Sequence, residues 1–179
     1  DETLALGIAG DNGDGSDVVE GQGDIDTLRF TGSGAAEVIS VSANGGRALL
    51  TRDVSAVAMD MDDVEHLQIR AGGGADNIVI NDLTGTDVTE IVVDLAAVPG
   101  GVAPDTKVDF VTIGGTAAND QIKIASVGNQ IVTTGLPDLV TVTHGAKSDI
   151  LTINGLGGDD VIDAQSLLPG KISLQMAGG

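Results

Sequence analysis

The amino-acid sequence predicts an all-β chain whose short strands stack in coils, and three observations predict it. Apolar residues recur at every second position in short runs bounded by Gly, Asn and Asp, the pattern of short strands and not of helices. One acid-led unit returns along nearly the whole chain. The core must also be built without aromatic bulk: among 179 residues there is no Trp, no Tyr and only two Phe, so Val, Ile, Leu and Ala have to fill it.

The recurring unit is an acid followed two and four residues later by apolar side chains. Its acids are Asp17, Asp26, Glu37, Glu65, Asp76, Asp109, Asp120, Asp138, Asp149 and Asp160. The residues two further on, from Val19 and Leu28 through Leu151 and Ile162, are all apolar, and four further on only Gly21 breaks the pattern. Such pairs as Leu28/Phe30, Ile39/Val41, Ile78/Ile80 and Leu151/Ile153 each point one way from a strand.

A step of 11 residues separates Asp26 from Glu37, Glu65 from Asp76, Asp109 from Asp120, Asp138 from Asp149 and Asp149 from Asp160. Positions 26–41 also align with 109–124 without gaps at an offset of 83. Acid pairs starting at 26, 65, 109 and 149 divide a single domain, 1–179, into units 26–64, 65–108, 109–148 and 149–179, with Gly- and Asp-rich turns at 1–25. A strand plus turn at this period gives two strands per coil of roughly 20 residues, the arithmetic of a parallel β-helix or β-roll. Residues 96–106 (AAVPGGVAPDT) fit worst and predict an out-looping turn. The chain opens at Asp1 and closes on Met176-Ala177-Gly178-Gly179, and both ends are expected to be cuts within a longer protein.

A net charge of −19 narrows the partners. Nucleic acid and anionic membranes are repelled, and no basic patch or stacking aromatic offsets that. Without cysteine there is neither a disulfide framework nor a thiolate metal site. No charge-free apolar run is long enough to span a bilayer, so no membrane insertion by a helix is expected. Divalent cations are the natural partners.

Stacking gives the cations a place. In a coil, equivalent turn residues lie above one another at the strand spacing. Two carboxylates ~5 Å apart repel by ~1 kcal/mol in water and several-fold more in a protein interior, unless protons or cations occupy the column. Glycines beside the acids turn backbone carbonyls into the same space. Carboxylate and carbonyl oxygens without His or Cys form a hard-oxygen site suited to Ca²⁺. The steps from Asp120 to Asp138 and from Asp138 to Asp160 are both close to whole coils and mark these three as the best column.

Residues 12–20 (NGDGSDVVE), 71–79 (AGGGADNIV) and 155–163 (GLGGDDVID) resemble the glycine-rich nonapeptide G-G-x-G-x-D-x-U-x of the repeats-in-toxin, or hemolysin-type calcium-binding, family. Residues 21–29, 32–40 and 115–123 are degenerate versions. The resemblance implies a right-handed parallel β-roll, calcium held between successive turns, and export by a type I route to the exterior or the cell surface. Carried over by position, the family's Asp ligand falls on Asp17, Asp26, Asp76, Asp120 and Asp160, while Glu37 and Glu65 place a longer acid there. Uninterrupted tandem nonapeptides occur only at 12–29, so a few ions are expected and not a continuous row.

Other motifs are weaker. Residues 11–17 (DNGDGSD) imitate an EF-hand loop, but Gly13 and Gly15 stand where ligands belong. His66 and His144, the only histidines, carry no motif, and Asp159 and Asp160 point to opposite faces of a strand, so they do not converge for acid–base work. No nucleophile elbow, zinc-protease helix or phosphate loop is present. The expected function is a calcium-binding structural segment of a secreted bacterial protein, not an enzyme. The alternative is a carbohydrate- or surface-binding module of a polysaccharide-active enzyme. Open strand edges at the ends of such a body invite neighbouring repeats or end-to-end copies.

Overall fold

The structure, a computed structural model, describes residues 2–7 by backbone and residues 16–179 in full. The first glycine-rich turn, with the EF-hand-like residues through position 15, lies outside the described residues. Among the described residues the chain is all-β: sixteen strands and a single 3-10 turn at Val54–Ala56.

The strands are β1 (Glu2–Gly7), β2 (Ser16–Glu20), β3 (Asp26–Thr31), β4 (Val38–Asn44), β5 (Arg47–Arg52), β6 (Val57–Asp62), β7 (His66–Arg70), β8 (Asn77–Ile80), β9 (Glu90–Asp94), β10 (Phe110–Gly114), β11 (Gln121–Val127), β12 (Gln130–Thr134), β13 (Leu139–Thr143), β14 (Ile150–Asn154), β15 (Val161–Ser166) and β16 (Ser173–Ala177). They form two eight-stranded sheets, ordered β1-β3-β7-β9-β13-β12-β11-β15 and β16-β14-β10-β8-β4-β5-β6-β2. The chain visits the sheets alternately, so most neighbours within a sheet pair in parallel. Both sheets are nevertheless mixed, because β4-β5-β6 and β11-β12-β13 are antiparallel meanders.

The alternation read in the sequence is the burial pattern. Strands β3, β6 and β14 alternate buried and half-buried positions. The acid-plus-two and acid-plus-four residues turn inward, with Leu28, Phe30, Ile39, Val41, Ile78, Ile80, Leu151 and Ile153 at most 1% exposed in one continuous core shared by both sheets.

Two expectations change. Where neither a meander nor the 96–106 excursion intervenes, the parallel partners are Glu2↔Asp26, His66↔Glu90 and Ile150↔Ser173, so the step between parallel neighbours is longer than the acid spacing implies. And the offset of 83 is the period of the architecture: β3 to β9 and β10 to β16 are two seven-strand units in the same order. The first unit carries its meander in the second sheet and the second unit carries it in the first sheet. Each unit visits the sheets an odd number of times, so its successor starts on the opposite sheet. Residues 96–106 do loop out, closed by Ala97 N–H donating to Ala103 O at 2.9 Å and Gly101 N–H to Val98 O at 2.8 Å.

Candidate functional site

The turns between sheets form two ridges, and the acids stand along them. On one ridge Glu37, Asp76, Asp109 and Asp149 directly precede β4, β8, β10 and β14 and link coil to coil. The Glu37 N–H donates to Asp76 Oδ1 at 2.9 Å, the Asp76 N–H to Asp109 Oδ1 at 2.9 Å, and the Asp109 N–H to Asp149 Oδ1 at 3.2 Å. Ser33 and the buried guanidinium of Arg52 donate to Glu37 at one end, and the Ala146 N–H donates to Asp149 Oδ2 at 2.6 Å at the other. On the opposite ridge the Asp26 N–H donates to Glu65 Oε2 at 2.8 Å, and the Asp120 N–H to Asp160 Oδ1 at 2.9 Å. Thr116 closes the Asp120 turn by donating its N–H to Oδ2 at 2.7 Å and its hydroxyl to Oδ1 at 2.9 Å.

Acids that precede neighbouring parallel strands are thus linked, and the immediate partner of each carboxylate is a backbone amide. Burial gives it a cost. Burial pushes the Asp76 carboxyl up to about 7, against the opposing bond from Glu37 N–H and with help from the charges of Asp109, Glu37 and Asp105. Burial likewise lifts Asp109 to about 6, with Asp149 and Asp105 adding to it, and raises Asp149. Asp138 rises to about 6, again mainly by burial.

Of the six ligands expected from the sequence, Asp120 and Asp160 come together as stacked turns. Asp26 pairs with Glu65 and Asp76 with Glu37 and Asp109, each in a ridge. Asp17 is exposed on β2. Asp138 does not join the Asp120–Asp160 column, because the stretch from Asp120 to Asp138 is a hairpin and not a coil: β12 lies between β11 and β13, and β13 pairs with β9.

The groups left for a ligand are oxygens. Asp26, Asp76, Asp138 and Asp160 each keep one buried carboxylate oxygen without a hydrogen-bond partner, as does Glu37. All are hard oxygens. Within the first ridge the acids precede adjoining parallel strands of one sheet. The one convergent group among the described residues was not foreseen: Asp62, Asp63 and Asp87 each place a carboxylate oxygen within 4.8 Å of the other two. It joins the end of β6 to the loop before β9. Asp63, at φ 52, is held above the ordinary carboxylate value by desolvation and by the charges of Asp62, Asp87, Glu20 and Glu65. Arg47 pairs with Asp62 at 3.0 Å and Glu20 at 2.9 Å, offsetting part of that charge.

Comparison with protein-family models, with curated proteins and with solved structures finds no match to this chain. Among the described residues no helix is long and apolar enough to cross a membrane.

Proposed function

We propose that the chain is a right-handed β-solenoid segment, serving as a calcium-binding structural spacer in an exported or cell-surface bacterial protein such as an adhesin or toxin-like polypeptide. The observation that supports it most is the coil-to-coil stacking of acids, with Asp120 bonded to Asp160 and unpartnered carboxylate oxygens at the ridges. Export by a type I route rests on the likeness of the turns to secreted calcium-binding repeats. Asp62, Asp63 and Asp87 would hold one ion, and the stacked turns at Asp120 and Asp160, with backbone carbonyls, another. The ion supplies neutralisation of clustered charge, and its binding free energy becomes folding free energy.

Thermal unfolding in calcium and in chelator, at matched ionic strength, tests the reading. An ion at about 100 times its Kd stabilises by about 2.7 kcal/mol, which raises the midpoint of a chain this size by about 8 °C. Asp87→Asn should remove a large share of that rise. Equal midpoints in calcium and chelator refute calcium binding by the chain.

A further inference from the structure

The two departures from simple coiling meet on one ridge. The 96–106 excursion and the β11–β12 hairpin tip enclose, with the end of β13, a pocket of about 200 Å³. The buried Ile131 and the exposed Val102 and Pro104 supply apolar surface, and Asn129, His144 and Lys171 bring the polar groups. In a chain of net charge −19, one of its two histidines and one of only eight basic residues face the same cavity.

His144 is held there deliberately. Its φ of 56 lies in the left-handed region, a costly place for a side chain with a Cβ. Its Nδ1 lies 2.7 Å from Asp94 Oδ1, a contact that fixes the orientation of the ring. Asp94 is itself fixed by the Ala96 N–H, which donates to Oδ1 at 3.1 Å. The ring is thus oriented with Nε2 left over. Lys171 Nζ donates to Asn129 Oδ1 at 3.0 Å, which occupies the amide's acceptor and leaves its NH₂ group free. The nearby acids are engaged elsewhere: Asp94 by the imidazole, Asp149 by the N–H groups of Ala146 and Asp109.

What remains on the polar side are two donors, the Lys171 ammonium and the Asn129 NH₂, beside the His144 ring. Donors facing an apolar wall select a ligand with an acceptor-only head and a short apolar body. The volume is below that of pockets for drug-sized ligands, so the body is small. We infer that this pocket binds small amphiphilic carboxylates, the head held by Lys171 and Asn129 beside the His144 ring and the tail lying against Val102, Pro104 and Ile131. This does not depend on the calcium reading.

The two histidines make the test. Titrating the full chain with hexanoate, in chelator, while following both imidazoles by NMR should move the His144 ring signals saturably and leave His66, on β7 in the first sheet, unmoved. A ligand of about eight heavy atoms is expected at a Kd on the order of 1 mM. Shortening to butyrate should weaken binding by about fourfold per methylene removed. Lys171→Met should weaken it at least fivefold with the unfolding midpoint unchanged. No saturable shift up to about 10 mM, equal shifts at both histidines, or hexanol binding as tightly as hexanoate would each overturn the proposal.

Discussion

At Gly115 the fold leaves no room for a side chain. A Cβ there would lie 2.6 Å from both Asp120 Oδ2 and the carbonyl oxygen of Gly155 in the stacked turn. Gly21, Gly32 and Gly155 stand at the same place, five residues before an acid, each with a carbonyl of the adjoining coil pressed against it. The fully buried Ala71 holds that position before Asp76, where the neighbouring coil continues into the long 95–109 excursion instead of a tight turn. Glycine at this position serves coil spacing as much as backbone freedom. Gly115→Ala is therefore expected to cost about 2 kcal/mol, since a backbone carbonyl cannot swing aside, lowering the unfolding midpoint by about 6 °C. Gly34, with nothing within 4 Å of its added methyl, provides the contrast. Gly34→Ala should be neutral or stabilising by about 0.5 kcal/mol through the unfolded chain. Calorimetric scans of the two variants decide the point, and equal losses would mean that stacking does not set the requirement.

At the scale of the turn and its strand, the ridge of Glu37, Asp76, Asp109 and Asp149 fixes how stability varies with pH. The folded-state values of Asp76 and Asp109 lie above the 3.8 of the free side chain, at about 7 and about 6. A raised carboxyl favours the protonated folded state, so its contribution is complete below pH ~4 and is lost as pH climbs through 6 and 7. In chelator, the unfolding midpoint should consequently be higher at pH 5 than at pH 8. Lowered net charge acts in the same direction, and Asp76→Asn separates the two. The amide retains an acceptor for the Glu37 N–H and cannot ionise. Ionising Asp76 in place costs on the order of 4 kcal/mol, so the variant should be more stable than the parent at pH 8 and nearly equal to it at pH 5. Denaturant melts at both pH values measure this; a variant less stable at pH 8 would show that the ionised carboxylate is needed.

The whole molecule shows which parts of the sequence could be read in advance. Strand alternation was legible because a period of two with inward Val, Ile and Leu has one meaning, and the buried pairs follow it. The acids' spacing did not reveal their register: Asp120 meets Asp160 directly, and Asp138 was misplaced because its step from Asp120 resembled a coil. The correcting signals were present as the two-residue turns Gly45-Gly46 and Gly128-Asn129, with Gly45 at φ 71 and Gly128 at φ 61, between alternating strands. The Asp62–Asp63–Asp87 cluster was not legible, since it depends on where a meander ends relative to a loop of the following coil. Both candidate sites also break the internal repeat: at the offset of 83, Gly145, Ala146 and Gly170 replace Asp62, Asp63 and Asp87, and Met61 replaces His144. The scaffold is duplicated and the sites are not.

That duplication provides a matched experiment on how stability is distributed. Strands β8 and β15 occupy equivalent places in the two units, yet β8 is hydrogen-bonded on both sides, to β4 and β10, while β15 has only β11. Likewise β9 lies between β7 and β13, and β16 has only β14. Burial follows: Ile78 and Ile80 are 0% and 1% exposed, whereas Ile162 and Ala164 are only partly buried against the core. In a stacked array each strand pair contributes mainly through its nearest neighbours, so the singly paired strands should open first. Native-state amide exchange should then show β15 and β16 at least 100-fold less protected than β8 and β9, a difference of about 2.7 kcal/mol in opening free energy. Protection that is uniform across both pairs would mean that the two sheets unfold as one cooperative body and that the nearest-neighbour description fails for this chain.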